Sequence, residues 1–362
     1  MLSVALVRSL KQALYPAVST LFSHAVLVEG SLKGSTGSFR SLFVDNTPFG
    51  DYVQGRLYAQ PPRVIARRRV FIPSLRRLLR QPDLCDLCVA RLPKIYDSVF
   101  RSLADYRTTD GVAQIIETAG TWDEVRSKFA KKKRQITNSF EEKSGLGCRM
   151  SHDPADFEHF YHRMFVPHIT RRYGEQASID AHGEMLKFFR RGLLLFVTKG
   201  GTDVAGALSL VEGNVLRFRR TGVLDGDESL VDGGAQTALY YFQLKYANEN
   251  GLRAVDTMLS APFLNDGVFR HKREWGAAVS PDDEADAWVY LFKASPSPEL
   301  ARLFQHNPTI VYTDAGLEGV VGTDDTALAP GPQADALVRP YRMAGLNRFV
   351  VITPERALKI AE

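Results

Sequence analysis

At 362 residues the chain is long for one domain and has ample length to bury a core, so two domains or one large duplicated one are expected. Its 44% hydrophobic and 24% charged content excludes a disordered or fibrous protein. The formal net charge of +5 is unevenly spread: no acidic residue lies between Tyr52 and Pro82, where Arg63, Arg67, Arg68, Arg69, Arg76, Arg77 and Arg80 all fall. Such clustering favours a phosphate-rich partner such as a nucleotide, tRNA or an anionic surface, or else makes a solvated helix face with local counter-charges.

Residues Met1 to Phe22 are apolar and free of acidic side chains, but Arg8 and Lys11 interrupt the run and no small-residue cleavage pattern follows. An amphipathic helix over Val4 to Leu21 is expected rather than a targeting peptide. No apolar run reaches the length of a membrane span, so no transmembrane segment is expected. Strands are expected at Ala25 to Glu29, Phe39 to Val44, Leu84 to Ala90 and Ala113 to Glu117. Helices are expected from Pro73 to Arg80 and from Lys94 to Leu103. Cys85 and Cys88 form a C-x-x-C pair, yet no second pair and no well-spaced histidines complete a four-ligand zinc site, so buried thiols are expected. Three cysteines in a chain of this size suit a reducing compartment, which points to the cytoplasm.

Thr121 and Glu124 have the N-cap and N3 spacing of a capping box, opening a helix that Gly145 can end. Its basic run is Lys128, Lys131, Lys132, Lys133 and Arg134. Asp153 and Pro154 open another helix, with Phe157, Phe160, Tyr161 and Met164 as its buried stripe. His152, His159, His162 and His168 crowd here, but no His-Glu-x-x-His arrangement and no acidic ligand at a suitable spacing accompanies them. Exposed or core-edge histidines are expected, and no metal.

Val204 to Val211 and Val215 to Val223 are β-rich runs joined by Glu212-Gly213-Asn214, and read as an antiparallel hairpin. A helix follows from Gly234 to Asn250, with Ala235, Ala238, Leu239, Phe242 and Tyr246 as its apolar stripe and Gly251 as its cap. Ala254 to Leu259 resumes as a strand carrying Asp256, a carboxylate that must find a partner or face a cleft. Beyond Gly276 come a strand, Ala287 to Phe292, a helix, Pro298 to Phe304, and an irregular segment from Gly316 to Pro340. The expected domains are 1–120, an α/β portion without a recognisable site; 121–300; and a C-terminal extension, 301–362.

Four segments carry a family resemblance: Val231-Asp232-Gly233-Gly234; Arg253-Ala254-Val255-Asp256; His271-Lys272-Arg273-Glu274-Trp275-Gly276; and Phe160 to Gly174, with Met164, Pro167, Arg171, Arg172 and Tyr173-Gly174. Between Trp122 and Gly276 the chain resembles the GNAT superfamily of acyltransferases, most closely its Fem-type branch. The resemblance implies an α/β (α+β) N-acetyltransferase fold with a mixed central sheet, in two GNAT-like halves of which the first is degenerate. It also implies an enzyme that forms an amide by direct attack of a substrate amine on an activated acyl or aminoacyl donor.

By that resemblance the strands Val215 to Val223 and Ala254 to Leu259 splay apart around the donor. Gly233, Gly234 and Ala235 then offer helix N-terminal amides to a pyrophosphate, with Arg217 and Arg219 as further donor contacts. Lys272 would stabilise the oxyanion or a donor phosphate, and Asp256 would act as a base or hold the substrate amine. Tyr173, Arg220 and Trp275 are the candidate substrate contacts. Strand alternation puts Arg217 and Arg219 on one face and Arg220 on the other. The usual coenzyme A loop has Arg or Gln three residues before its glycine; here Leu230 stands in that place, among Asp225, Asp227, Glu228 and Asp232. That substitution favours aminoacyl-tRNA as donor over acyl-CoA, with a small-molecule or peptide amine as acceptor. A catalytically silent RNA- or nucleotide-binding module is the alternative of a different class.

Overall fold

The computed structural model describes residues 20–142, 145–174, 177 and 179–360. The helix expected over Val4 to Leu21 lies outside these residues except for its last two. The chain forms two compact units: one gathers the chain up to Val112, Ser260–Arg270 and the chain from Val279 onwards, the other Ala113–Leu259 and His271–Ala278.

The first unit has a six-stranded mixed sheet with Arg63–Phe71, Phe22–Gly30, Phe39–Asp45, Leu87–Pro93, Ala287–Phe292 and Tyr106–Thr108 side by side. Ala287–Phe292 is the strand expected from the sequence, but it lies within the expected 121–300 domain and inserts antiparallel between Leu87–Pro93 and Tyr106–Thr108 of this sheet. Such a long-range pairing leaves no local mark in the chain. Arg63–Phe71 forms an edge strand of which all but Val70 is exposed; its run of arginines hid the β pattern. Cys85 and Cys88 are both buried and unpaired, and burial pushes the Cys85 thiol up to about 11.

The segment Gly316 to Pro340, expected to be irregular, contains a strand, Gly316–Gly322, and a helix, Pro332–Val338. The strand pairs antiparallel with Thr309–Thr313 and parallel with Arg348–Ile352. Its glycine content reflects packing rather than looseness: a Cβ at Gly319 would strike the ring of Phe349.

In the second unit the strands are β1 (Val112–Glu117), β2 (Leu146–Ser151), β3 (Leu193–Lys199), β4 (Thr202–Glu212), β5 (Val215–Val223) and β6 (Ala254–Ser260). They lie in the order β1-β6-β5-β4-β3-β2. From β2 to β5 each strand pairs antiparallel with the next, whereas β5 and β6 are parallel. Helix α7 (Ala235–Glu249) makes the crossover that a parallel pair requires. The helices are α1 (Trp122–Ser127), α2 (Lys131–Glu142), α3 (Pro154–His159), α4 (Val166–Tyr173), α5 (His182–Phe189), α6 (Glu228–Asp232), α7 and α8 (Gly267–Glu274), of which this unit holds the part from His271 on, with a π turn, Phe160–Phe165, joining α3 to α4.

Both faces of this sheet are covered. On one, Leu216 and Phe218 of β5 meet Ala238, Leu239 and Tyr241 of α7 around the fully buried Trp275. On the other, Phe160, Met164 and Phe165 of the π turn pack with Phe189 of α5 against Leu194, Phe196 and Leu208. Each such buried aromatic or aliphatic side chain contributes about 1.5–3 kcal/mol of transfer free energy.

The expected capping box at Thr121 is present: Thr121 Oγ1 accepts from the Glu124 N–H at 3.3 Å, and Glu124 Oε2 accepts from the Thr121 N–H at 2.7 Å. The single helix expected from there to Gly145 is instead two, α1 and α2. Phe129 turns inward at the break to meet Trp275 edge to face at 5.1 Å, and the Ala130 N–H bonds to the Glu274 carbonyl at 2.8 Å. Tertiary contacts here outweigh helix propensity. At the start of α3, Asp153 caps the Ala155 N–H at 2.9 Å and Pro154 takes the first helical position.

Candidate functional site

Strands β5 and β6 pair over only Val215–Ala254, Leu216–Val255 and Arg217–Asp256, then part. Each strand carries a cause. The ladder between β5 and β4 shifts register between Phe218 and Arg220, which makes Arg219 a bulged residue. In β6, Met258 takes φ 66, a left-handed conformation that an unbranched L side chain adopts at a cost of about 1–2 kcal/mol.

Two of the expected site residues hold that Met258 turn. Asp256 Oδ1 accepts the Met258 N–H at 2.8 Å. Lys272 Nζ donates to the carbonyl oxygens of Met258, at 2.8 Å, and Leu259, at 2.9 Å. Lys272 is 4% exposed. A buried ammonium is tolerated where oriented dipoles replace its hydration, and these two carbonyls do so.

Arg217 Nε lies 3.0 Å from Asp256 Oδ2, and another of its nitrogens is 3.3 Å from Glu212. The contact with Asp256 is a charge contact rather than an aimed hydrogen bond, because the N–H does not point along it. Arg219 is 3.5 Å from Glu212, with its guanidinium 5.2 Å from the Phe188 ring of α5. Among the described residues, the Nε atoms of Arg217 and Arg219 are buried with no hydrogen-bond partner. Arg220 forms a two-pronged pair with Asp180, just ahead of α5.

The bulge corrects the expected alternation. Phe218 faces α7, meeting Tyr240 edge to face at 5.1 Å, whereas Arg219 and Arg220 both reach the α5 side. A bulge consumes one residue without inverting the strand, so Arg219 and Arg220 share a face that strict alternation divides.

Gly234 caps α7 at φ 90, a region open to glycine without strain. The Gly233 N–H bonds to the Ser229 carbonyl at 2.9 Å and the Gly234 N–H to the Val231 carbonyl at 3.0 Å, so α6 takes up both amides. Ala235 is buried in the core. Two carboxylates of the acidic loop are occupied. Asp225 makes two 2.7 Å bonds to Arg163, and this contact lowers its pKa. Asp227 caps α6 through the Ser229 N–H at 2.8 Å, and its hydrogen bonds with Ser229 lower its pKa as well. Arg171 of α4 donates to the Gly226 carbonyl at 3.0 Å, which brings another cation to the loop.

Below the parting strands lies an aromatic and imidazole group. Tyr240 of α7 stacks on Trp275 at 5.7 Å and meets His271 edge to face at 4.8 Å. Trp275 Nε1–H donates to His271 Nε2 at 3.3 Å. Burial, then the nearby Lys133 charge, lowers the His271 pKa to about 4, so the ring is neutral near pH 7 with its proton on Nδ1. Burial pushes the Tyr240 hydroxyl well above its usual range. One turn earlier, Gln236 donates to Nε2 of the buried His168 at 2.8 Å, and burial lowers that ring's pKa too.

Of the residues expected from the sequence, Arg217, Asp256 and Lys272 converge at the point where the strands part. Gly233, Gly234 and Ala235 form the α7 entrance, Arg219 shares Glu212 with Arg217 and lies with Arg220 on the α5 side of β5, and Trp275 lies in the core beneath. Tyr173 ends α4, and its side chain lies outside the described residues. Tyr240 was not singled out from the sequence, and His168 was noted there only among the crowded histidines. Tyr240 falls outside the apolar stripe of α7, and the Gln236 partner of His168 is 68 residues away.

No family model matches the chain, and no curated protein matches it. Solved structures with a similar chain trace include FemX, 10% identical over 74% of this chain and 84% of that chain, with a TM-score of 0.40. L-PGS from Bacillus licheniformis is 10% identical over 73% of this chain and 83% of that chain, at 0.37. The ribosomal-protein-S18-alanine N-acetyltransferase from Escherichia coli is 14% identical over 40% of this chain and 91% of that chain, at 0.27. At these values the likenesses carry no argument. The mixed α/β fold rests on the strand order itself. Among the described residues no helix is long and apolar enough to cross a membrane.

Proposed function

We propose that the second unit is an N-acyltransferase, in which an amine attacks an activated acyl group lying between the parted ends of β5 and β6. The observation that carries this reading is the three-residue parallel pairing followed by divergence, with the buried Lys272 ammonium at the fork. The gap gives an extended acyl carrier unpaired strand edges to lie against.

The amine nitrogen forms a bond to the acyl carbon, the carbonyl oxygen becomes an oxyanion, and the bond to the carrier's oxygen or sulfur breaks. The amine's proton passes to the leaving group. Lys272 supplies a fixed positive field at the fork, where poorly screened charge acts strongly on a developing oxyanion. It does so while holding the Met258 turn, and Asp256 positions the same turn. Tyr240, kept protonated by burial, is the acid assigned to the leaving group.

An aminoacyl ester carried on tRNA is the preferred donor. The Gly233 and Gly234 amides that would cradle a pyrophosphate are already bonded to α6, and an aminoacyl ester needs no such cradle. Acyl-CoA is the second reading, favoured by Arg163 neutralising Asp225 and by Arg171 at Gly226. Titrating the purified protein with acetyl-CoA and with charged tRNA tests the choice: saturable tRNA binding without coenzyme A binding supports the first reading, and the converse supports the second. Salt-sensitive tRNA binding with no transfer to any amine leaves a nucleic-acid-binding module instead.

A further inference from the structure

Far along the chain from the fork, Glu158, His162 and His182 bring one carboxylate and two imidazoles together. His182 Nε2 lies 2.9 and 3.1 Å from the two Glu158 oxygens, and His162 Nε2 lies 3.3 Å from Glu158 Oε2. The ligand-capable atoms of the three residues are all within 4.8 Å of one another. Two ligand atoms on a tetrahedral zinc, each about 2.0–2.1 Å from the metal, are roughly 3.4 Å apart. The present spacing therefore needs only small side-chain rotations to close on an ion. We propose that Glu158, His162 and His182 form a zinc site, with water completing the tetrahedron.

No contiguous motif marks the site, because its third ligand stands 24 residues from Glu158. Glu158 and His162 are one helical turn apart, on α3 and the π turn, while His182 is the first residue of α5. The third ligand is also positioned. The His182 ring packs edge-on against Phe157 at 5.3 Å and Tyr161 at 4.9 Å, and the Tyr161 hydroxyl donates to the Asp180 carbonyl at 2.9 Å. Zinc here ties the start of α5 to the α3–π segment. It thereby fixes Asp180, which holds Arg220 beside the bulge of β5. The ion pairs alone need a protonated histidine; zinc replaces that proton and binds both rings through Nε2.

The test is calorimetric titration of zinc into tag-free, EDTA-treated full-length protein carrying Cys148→Ser, which removes the exposed thiol. One site of micromolar or tighter affinity is expected, with no response to magnesium and a rise in Tm that EDTA reverses. His182→Ala and Glu158→Gln should each weaken binding on the order of tenfold to a hundredfold or more, while His152→Ala should leave it unchanged. Glu158→Gln keeps the hydrogen-bonding shape, so it reports even if His182→Ala fails to fold. No saturable zinc binding, or binding unchanged in Glu158→Gln, overturns the proposal.

Discussion

Asp256 and Lys272 hold opposite ends of one residue: Asp256 takes the N–H of Met258 at 2.8 Å and Lys272 takes its carbonyl at 2.8 Å. Neither side chain alone fixes a left-handed methionine, because each leaves the other end of the turn free to relax into the ladder. Together they hold the turn just past the point where β6 leaves its pairing with β5.

Lys272→Met removes both donor bonds and leaves the Met258 and Leu259 carbonyls without that partner. A stability loss of about 1–3 kcal/mol is expected, measured by urea unfolding. Transfer should fall by on the order of 100-fold, as for loss of an oxyanion donor. A folded variant with near-normal transfer would remove Lys272 from the chemistry.

Asp256→Asn keeps an oxygen for the Met258 N–H and loses only the charge toward Arg217, whereas Asp256→Ala loses both. The Asn variant should therefore stay within about 1 kcal/mol of the parent, and the Ala variant should be about 1–2 kcal/mol less stable than the Asn variant. Equal stabilities would mean that the Met258 turn does not depend on Asp256.

The lowered pKa of His271 gives a pH dependence with a definite sign. The unfolded ring titrates near 6.5 and the folded ring near 4. Between those values the unfolded chain binds a proton that the folded one does not, so stability is full above pH 6.5 and is lost as pH falls through about 4. His168 acts in the same direction. Unfolding midpoints compared at neutral and mildly acidic pH should differ in the parent, and the difference should shrink in His271→Gln. An unchanged difference in that variant would contradict the burial of His271 as a neutral ring.

Gly234→Ala forces a side chain into φ 90 at the entry to α7 and should cost about 1–2 kcal/mol, measured by thermal unfolding. No loss would indicate that the α6–α7 junction relaxes without strain.

Elements written in short-range patterns were legible in the sequence. The Glu212-Gly213-Asn214 hairpin, the Thr121 capping box, the Asp153 cap and the extent of α7 all depend on neighbours within a few residues, although the buried face of α7 carries Tyr241, Leu244 and Ala247 where Phe242 and Tyr246 were expected. What escaped depended on distant partners. The Arg219 bulge is set by pairing with β4, the break at Lys128 to Ala130 by Trp275 and Glu274, and the place of Ala287–Phe292 by two strands of its own unit far back in the chain. At the site, Asp256 and Lys272 were singled out, but their convergence on Met258 was not, because nothing in the local pattern marks a methionine for φ 66. Likewise Glu158 and His162 meet His182 only after the chain has passed through α4.

The most direct measurement follows label from donor to amine. Purified protein is incubated separately with radiolabelled aminoacyl-tRNA and acetyl-CoA, together with a mixture of amino acids, peptides and small amines, and the products are treated with mild base. Esters and thioesters hydrolyse under that treatment and amides survive. Acyl transfer at the β5–β6 fork predicts base-stable label from one donor, formed on the order of 100-fold more slowly in folded Lys272→Met. Correctly folded parent protein yielding no base-stable label from either donor would contradict it.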